Sequence, residues 1–233
     1  MEFQETLRSE CFRGHLENVR RLLEAGADVH ECNDSALIIA SLKGHVEIVK
    51  LLLEAGANIH AEDDDALREA SFRGHADIVR LLLETGANVH ADDDYALRSA
   101  SSGGHAEIVD ILIEYGANVQ AKNNEALWRA SLNDHVEVVE VLLESGANVH
   151  AKDDEALGWA SYYGYVEVMK ILLEAGANVH ACDNYALCVA SLNGYIEVVK
   201  LLLDHGADRS RLHEMATPEM REYVPVNPRR IWL

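Results

Sequence analysis

The strongest constraint on the fold of this chain is an internal period of 30 residues. An Ala-Leu pair recurs at that spacing from position 36 to position 186, and a Thr-Leu pair precedes the series at the same interval. Seven copies of one sequence pattern therefore fill residues 5 to about 209. Such periodicity predicts a repeat array, in which each unit contacts only its neighbours.

Each copy contains two predicted helices joined by short turns. The first helix follows an acidic or amide residue such as Asp34 or Asn124, whose side chain can accept a hydrogen bond from the free amides of the first turn. It ends at a Gly-His turn such as Gly44-His45. The second helix opens with an acidic residue, which suits the positive end of the helix dipole, and closes at a glycine. Two helices of this length cannot bury their apolar faces alone, so the copies are predicted to stack as an all-α solenoid of helix pairs.

The second half of each copy, GHxEIVKLLLEAGANVHA, resembles the second half of an ankyrin repeat. The first half departs from that family, because it is shorter and reads Asp-Ala-Leu-Arg at positions 65–68, where ankyrin repeats usually have Thr-Pro-Leu-His. The hairpin that projects between family repeats should therefore be shortened. This variant is similar to ankyrin arrays carried by large DNA viruses. The resemblance implies a non-enzymatic scaffold that binds a partner protein through a concave face lined by the first helices.

The charge balance bears on the class of partner. Acidic residues outnumber lysine and arginine 40 to 20, for a formal net charge of -20. A nucleic-acid backbone would be repelled by such a surface, so nucleic acid is not expected as a partner. A basic protein surface would be attracted, although salt screens this steering beyond about 8 Å. We therefore expect a protein partner, and the charge favours one with a basic surface.

The compartment is predicted from the cysteines and from the apolar runs. Cys11, Cys32, Cys182 and Cys188 show no CxxC spacing and are interpreted as thiols in a reducing compartment. No apolar run approaches the roughly 18 residues of a membrane span, and the N-terminal sequence lacks the pattern of a secretory signal. The expectation is a cytoplasmic monomer without membrane attachment, located in the host cytoplasm if the source is viral.

The resemblance assigns partner binding to the face of the first helix that lies opposite its Ala-Leu pair. On that face the residues vary among copies, in contrast to the framework, and they include many aromatic side chains. Aromatic and arginine side chains dominate the binding energy of protein interfaces. We place the centre of the surface on the fifth to seventh copies. The predicted partner-binding residues are Phe72, Arg73, Tyr95, Arg129, Leu132, Trp159, Tyr162, Tyr163, Tyr185 and Leu192.

Packing between neighbouring copies is an alternative role for some of these aromatic side chains. For Trp159 and Trp128, the sequence is equally compatible with packing against the next copy and with recognition of a partner. The pair Tyr162 and Tyr163 lies next to the glycine turn, and exposure is the favoured interpretation there. A contiguous exposed aromatic patch is typical of a protein-binding site.

No pattern in the sequence indicates catalysis, a cofactor or a metal site. The histidines form two ladders, exemplified by His45 in the turn and His30 before the next copy, and stacked helices about 8 to 10 Å apart cannot share one zinc ion. The acidic run at positions 62–65 lacks the alternating ligands of a calcium loop. Phosphate-binding, zinc-protease and serine-nucleophile motifs are absent. We therefore expect no catalytic residue, no metal and no cofactor.

The two ends of the chain depart from the repeat pattern. Residues 1–209 are assigned to the seven repeats, and the first copy is predicted to be an N-terminal cap, in which Glu10 replaces a small residue and Glu5 and Arg8 add polarity. Residues 210–233 leave the period and form either a cap over the seventh copy or a docking segment around Trp232. In the second case the protein would be an adaptor that links a bound target to ubiquitin-ligase or other machinery.

Overall fold

The computed structural model describes residues 2–212, with side chains from residue 7 onwards. This part of the chain contains no strand, and its helices follow one another in pairs. The bounds of the helices, in chain order from α1 to α14, are Glu2–Arg13, Leu16–Glu24, Glu31–Lys43, Val46–Glu54, Asp65–Arg73, Ala76–Thr85, Ala91–Gly103, Ala106–Glu114, Ala121–Leu132, Val136–Glu144, Glu155–Tyr163, Val166–Glu174, Ala181–Leu192 and Ile196–Asp204. A short 3-10 helix, Arg209–Arg211, follows α14.

The chain divides into two compact units, Met1–Lys122 and Asn123–Leu233. In the first unit the odd-numbered helices α1, α3, α5 and α7 pack side by side, and so do the even-numbered helices α2, α4, α6 and α8. In the second unit α11 packs against α13, while α10, α12 and α14 form the other layer. The expected all-α fold of stacked helix pairs is therefore confirmed within each unit.

The core of each unit is built from the same few positions of every copy. In α3 the residues Ala36, Leu37 and Ala40 are buried, and in α4 Ile48 and Leu52 are buried beside them. The corresponding residues of the other helix pairs from the second copy onwards are buried in the same way. Because alanine lets the helices approach closely while leucine and isoleucine fill the space between them, this pattern gives each copy the same packing.

A left-handed turn of three residues joins each copy to the next first helix. Residues 32–34 have φ values of 53° to 54°, and the corresponding residues of the later copies adopt the same conformation. This region is unfavourable for most L-residues, but Asn and Asp tolerate it because their short side chains bond locally. The second and third positions of the turn are always Asp or Asn, such as Asn33 and Asp34. The turn occupies the place where the projecting hairpin was expected to be shortened.

The side chain at the third position of this turn links one copy to the next. The prediction that it caps the first helix is wrong, because Asp64 precedes α5 without accepting a hydrogen bond from that helix. Instead, Asp34 Oδ1 accepts a hydrogen bond from the backbone amide of Asn58 at 2.8 Å, and a second from His30 Nδ1 at 3.1 Å. Asn124 Oδ1 likewise accepts from the amide of Asn148 at 2.7 Å. The Asp34 and Asn124 side chains are buried, so each of these bonds satisfies an acceptor that is shielded from water.

The histidines of the Gly-His turns also hold neighbouring copies together. His75 Nε2 donates to the carbonyl oxygen of Leu42 at 3.1 Å, and His105 Nε2 donates to that of Phe72 at 2.9 Å. Gly44 has φ 79°, and a Cβ added there would lie 2.7 Å from the His75 ring, so a side chain at this position would clash with that ring. The histidine ladders thus serve the framework.

The first copy is closed by a buried carboxylate. The side chain of Glu10, which replaces the small residue of the other copies, is buried and accepts hydrogen bonds from Asn18 Nδ2 at 2.7 Å, His15 Nδ1 at 2.8 Å and Arg13 Nη1 at 3.1 Å. The bonds from Asn18 and His15 lower the pKa of Glu10 below its ordinary value. Copies two to seven have alanine at this position, so among the seven copies the charged group occurs in the first.

The start of the C-terminal segment packs on the last copy. The 3-10 helix contacts α13, Leu212 is buried, and Arg211 forms an ion pair with Asp183. Asp208 begins this helix by accepting a hydrogen bond from the Ser210 amide at 2.9 Å. The two alternatives for residues 210–233, a cap or a docking segment, concern mainly residues 213–233, which lie outside the described residues.

Candidate protein-binding surface

None of the predicted partner-binding residues is buried. Five are large apolar or aromatic side chains with an exposed fraction of 42% or more, and Arg73 is exposed beside them. Tyr95, Arg129, Leu132 and Trp159 are half-buried. The exposed fractions are 44% for Phe72, 42% for Tyr162, 43% for Tyr163, 45% for Tyr185 and 59% for Leu192.

In the first unit the predicted residues form two small clusters with arginine side chains. The Arg73 guanidinium lies 5.4 Å from the centroid of the Phe72 ring. Two guanidinium groups lie against the Tyr95 ring, with Arg68 Cζ at 5.0 Å and Arg98 Cζ at 4.7 Å from its centroid. Attraction between a cation and an aromatic ring holds such pairs together. Tyr95 is therefore engaged by residues of its own chain.

In the second unit four aromatic side chains make one continuous cluster on the sixth copy. The Tyr162 and Tyr163 ring centroids are 5.0 Å apart in an edge-to-face arrangement. Trp159 lies 6.3 Å from Tyr162, and Tyr165 is stacked 5.6 Å from Tyr163. Burial raises the pKa of Tyr165 above its ordinary value. Because the rings support one another, Tyr162 and Tyr163 are held in place while much of their surface stays open to solvent.

Trp159 combines the two roles that the sequence left open. It is half-buried and packs against Tyr162 and Tyr163, yet part of its ring lines an open cavity. Its indole Nε1 is buried and donates to no acceptor in the described part of the chain. Trp128 of the fifth copy is also half-buried, with Arg129 and Lys152 both 5.4 Å from its ring.

Arg129 is committed to contacts within its own helix. Its Nε donates to Glu125 Oε1 at 2.7 Å, and its Nη2 lies 2.6 Å from the same oxygen. A guanidinium paired in this way is less available to a partner than the exposed tyrosines are. We therefore regard Arg129 as the weakest of the predicted binding residues.

A cavity of about 310 Å³ lies between the sixth and seventh copies and was not predicted from the sequence. Its walls include Trp159 and Tyr185, and acidic residues lie at its rim. Gly158 opens this space, because the corresponding positions of the neighbouring copies carry Trp128 and Cys188. The signal that could have found the cavity was the single glycine inside an otherwise regular helix.

A metal site and a membrane-spanning helix are both absent from the described residues. Between residues 2 and 212, no group of three or more His, Cys, Asp or Glu side chains could hold a metal ion. No helix in this range combines the length and apolar character needed to cross a bilayer. The four cysteines are free thiols, and burial raises the pKa of Cys11 to about 12.

Comparison with known families agrees with the helix-pair fold. The family model for ankyrin repeats matches three times, over residues 9–93, 70–153 and 152–212, which together span most of the chain. The chain belongs to the ankyrin repeat family. Among solved structures, the ankyrin repeat domain of human ASB11 is similar, with 30% sequence identity and a TM-score of 0.76. That match covers 87% of this chain and 98% of the other. The comparison with curated proteins gave no match.

Membership in the ankyrin repeat family settles the general character of the protein. Ankyrin repeats mediate binding between proteins, the fold is typically a non-enzymatic interaction module, and proteins that contain it are often intracellular. The similarity to the arrays of large DNA viruses stays a prediction, as do the cytoplasmic location and the monomeric state.

Proposed function

We propose that this ankyrin repeat protein is a non-enzymatic scaffold that binds a partner protein through the first-helix face of its fifth to seventh copies. The observation that carries the proposal is the exposed aromatic surface of the second unit. Tyr162, Tyr163, Tyr185 and Leu192 each leave at least 42% of their surface open. Tyrosine is enriched among the residues that dominate interface energies, because it offers a large rigid surface and a polar tip.

The pre-ordered arrangement of these rings favours binding. Tyr162 and Tyr163 are fixed against each other and against Trp159 and Tyr165, so a partner would lose little free energy in ordering them. The strong negative charge of the chain favours a partner with a basic surface, mainly by accelerating encounter. The protein acts in this proposal as a cytoplasmic monomer with no cofactor.

A comparison of partner capture tests the proposal. The full chain and its Tyr162→Ala plus Tyr163→Ala variant are immobilised, and proteins recovered from a cytoplasmic extract are quantified by mass spectrometry. Loss of the two rings should weaken binding of the specific partner at least about 30-fold, since a single hot-spot ring contributes about 2 kcal/mol or more.

A matched control is available in the first unit. Tyr115 is exposed to 40% but lies at the end of the second helix of its copy, outside the proposed surface. The Tyr115→Ala variant should recover the partner as the unaltered chain does. Equal recovery by the Tyr162→Ala plus Tyr163→Ala variant would show that the partner binds elsewhere.

A further inference from the structure

Gly158 is unusual among the residues at its position of the repeat. The position directly after the Ala-Leu pair is occupied by Ile38, Arg68, Arg98, Trp128 and Cys188 in the neighbouring copies. Gly158 lies inside helix α11, and its φ is outside the left-handed region that requires glycine. A helical glycine costs about 1 kcal/mol relative to alanine. The backbone therefore gives no reason for glycine here, and its effect is to leave space.

The third copy shows which group fits that space. Arg68 occupies the position there, and its guanidinium lies 5.0 Å from the centroid of the Tyr95 ring of the following copy. Its Nη2 donates to Asp65 Oδ1 at 2.5 Å. One guanidinium is thus held by an aromatic ring of one copy and a carboxylate of the copy before it.

The sixth and seventh copies repeat the ring and the carboxylate without the arginine. Tyr185 stands at the position of Tyr95, and Glu155 stands at the position of Asp65. Both line the cavity of about 310 Å³ that Gly158 leaves open. The Glu155 Oε2 atom is buried and accepts no hydrogen bond in the described residues, although Lys152 Nζ lies 3.1 Å from it as an ion pair.

We propose that this cavity binds the guanidinium group of an arginine side chain of the partner protein. The arginine takes the place that Arg68 fills in the third copy, against the Tyr185 ring and within reach of the Glu155 carboxylate. Asp153 also lines the cavity, whereas Asp154, which lies there too, already accepts hydrogen bonds from the Asn178 amide at 2.8 Å and from His150 Nδ1 at 3.2 Å. A guanidinium suits this site better than an ammonium does, because it is planar, stacks on aromatic rings and donates along two directions.

This inference rests on the proposed function and adds the chemistry of the partner to it. It can nevertheless be tested without the partner. The full chain is titrated with Nα-acetyl-arginine methylamide, and the backbone amide and tryptophan indole signals of the protein are followed by NMR. We expect the largest shifts at the Gly158 amide and the Trp159 indole N–H. The neutral citrulline analogue should bind at least about tenfold more weakly, because it lacks the charge that pairs with Glu155.

Variants of the cavity sharpen this titration. Gly158→Arg should abolish binding of the arginine probe by filling the cavity from within, as Arg68 does in the third copy; a Cβ at position 158 would lie in van der Waals contact with the Tyr185 ring, at 3.4 Å. Ser145→Arg is the matched control, since it adds the same charge to an exposed position at the end of α10 and should leave binding unchanged. Circular dichroism establishes that each variant is folded.

The two charged neighbours give opposite expectations. Glu155→Gln should weaken the arginine probe about tenfold, whereas Lys152→Met should strengthen it severalfold by freeing the Glu155 carboxylate. Citrulline binding as tightly as arginine, or saturation without a shift at Gly158 and Trp159, would overturn the proposal. So would weaker binding by the folded Lys152→Met variant.

The outcomes separate the cavity from the larger surface. If the arginine probe binds but the Tyr162→Ala plus Tyr163→Ala variant still captures the partner, the cavity stands and the proposed aromatic surface is wrong. If the probe does not bind but the tyrosine variant loses the partner, the surface stands and the arginine site is wrong.

Discussion

Tyr95 and Tyr185 occupy the same position in the fourth and seventh copies, but their surroundings differ. Tyr95 is half-buried and has the guanidinium groups of Arg68 and Arg98 against its ring. At the corresponding places around Tyr185 the chain has Gly158 and Cys188, and Tyr185 is exposed to 45%. The same residue type on the same framework is thus satisfied internally in one region and open in the other. The identity of two neighbours decides which tyrosine can receive a partner.

The comparison of Tyr95 with Tyr185 requires that the two regions share the same framework. Truncation of a core leucine tests this and has the largest expected effect. Leu97 and Leu187 directly precede Arg98 and Cys188, and both leucines are fully buried. Leu97→Ala and Leu187→Ala should each lower the free energy of unfolding by about 3 kcal/mol, from lost burial and the cavity left behind. Urea denaturation followed by circular dichroism measures the change.

Leu192→Ala provides the control for these two variants. Leu192 is exposed to 59%, so its truncation should cost less than about 0.5 kcal/mol. A large loss for only one of the two buried leucines would mean that the two regions do not share a framework, and the contrast between Tyr95 and Tyr185 would need another cause.

The buried link between copies gives the next largest effect. Asp94 Oδ1 accepts a hydrogen bond from the Asn118 amide at 2.8 Å and one from His90 at 3.0 Å. Asp94→Ala should lower the free energy of unfolding by about 2 kcal/mol, because it removes the acceptor of both hydrogen bonds and places alanine in a left-handed conformation that it disfavours.

Asparagine separates the role of the acceptor atom from that of the charge. The chain itself carries Asn124 and Asn184 at this position, and Asn124 Oδ1 makes the same bond at 2.7 Å. Asp94→Asn should therefore cost less than about 1 kcal/mol in the same denaturation experiment. If Asn is as damaging as Ala, the negative charge stabilises the link and copies five and seven are held differently.

The sequence predicts the framework well because its signals are local and repeated. Three features recur at the same position in all or nearly all of the seven copies, and each has one structural role: the glycine turns, the apolar positions and the Ala-Leu pairs. The buried link was misread because a capping rule looks within one helix, whereas Asp34 reaches an amide 24 residues away. The left-handed turn begins at Cys32, Glu62 or Lys122, residue types that give no hint of that conformation.

The candidate site could be predicted only where a side chain marks it. Tyr162, Tyr163 and Tyr185 were found because aromatic residues vary on a face that the family uses for binding. The cavity beside Tyr185 exists because Gly158 has no side chain to fill it. A glycine has no functional group, so it is not selected as a candidate binding residue. The difference between Gly158 and Arg68 at the same repeat position could have indicated the cavity. To interpret it, however, one must know that Arg68 contacts Tyr95 of the next copy, and the sequence does not show this contact.

A reciprocal exchange at these two positions gives the smallest effect on stability and tests the comparison most directly. Arg68→Gly should lower the free energy of unfolding by about 1 kcal/mol, and Gly158→Arg should raise it by up to about 1 kcal/mol, since arginine is the better helix former. Because Arg98 also lies against the Tyr95 ring, Arg68→Gly combined with Arg98→Cys should open a second site against Tyr95 and Asp65, so that Nα-acetyl-arginine methylamide now shifts the signals of the third and fourth copies. The chain that carries these two changes together with Gly158→Arg should bind the arginine probe at Tyr95 and no longer at Tyr185. If the probe's position does not follow the glycine, the occupant of this position does not decide which tyrosine is open.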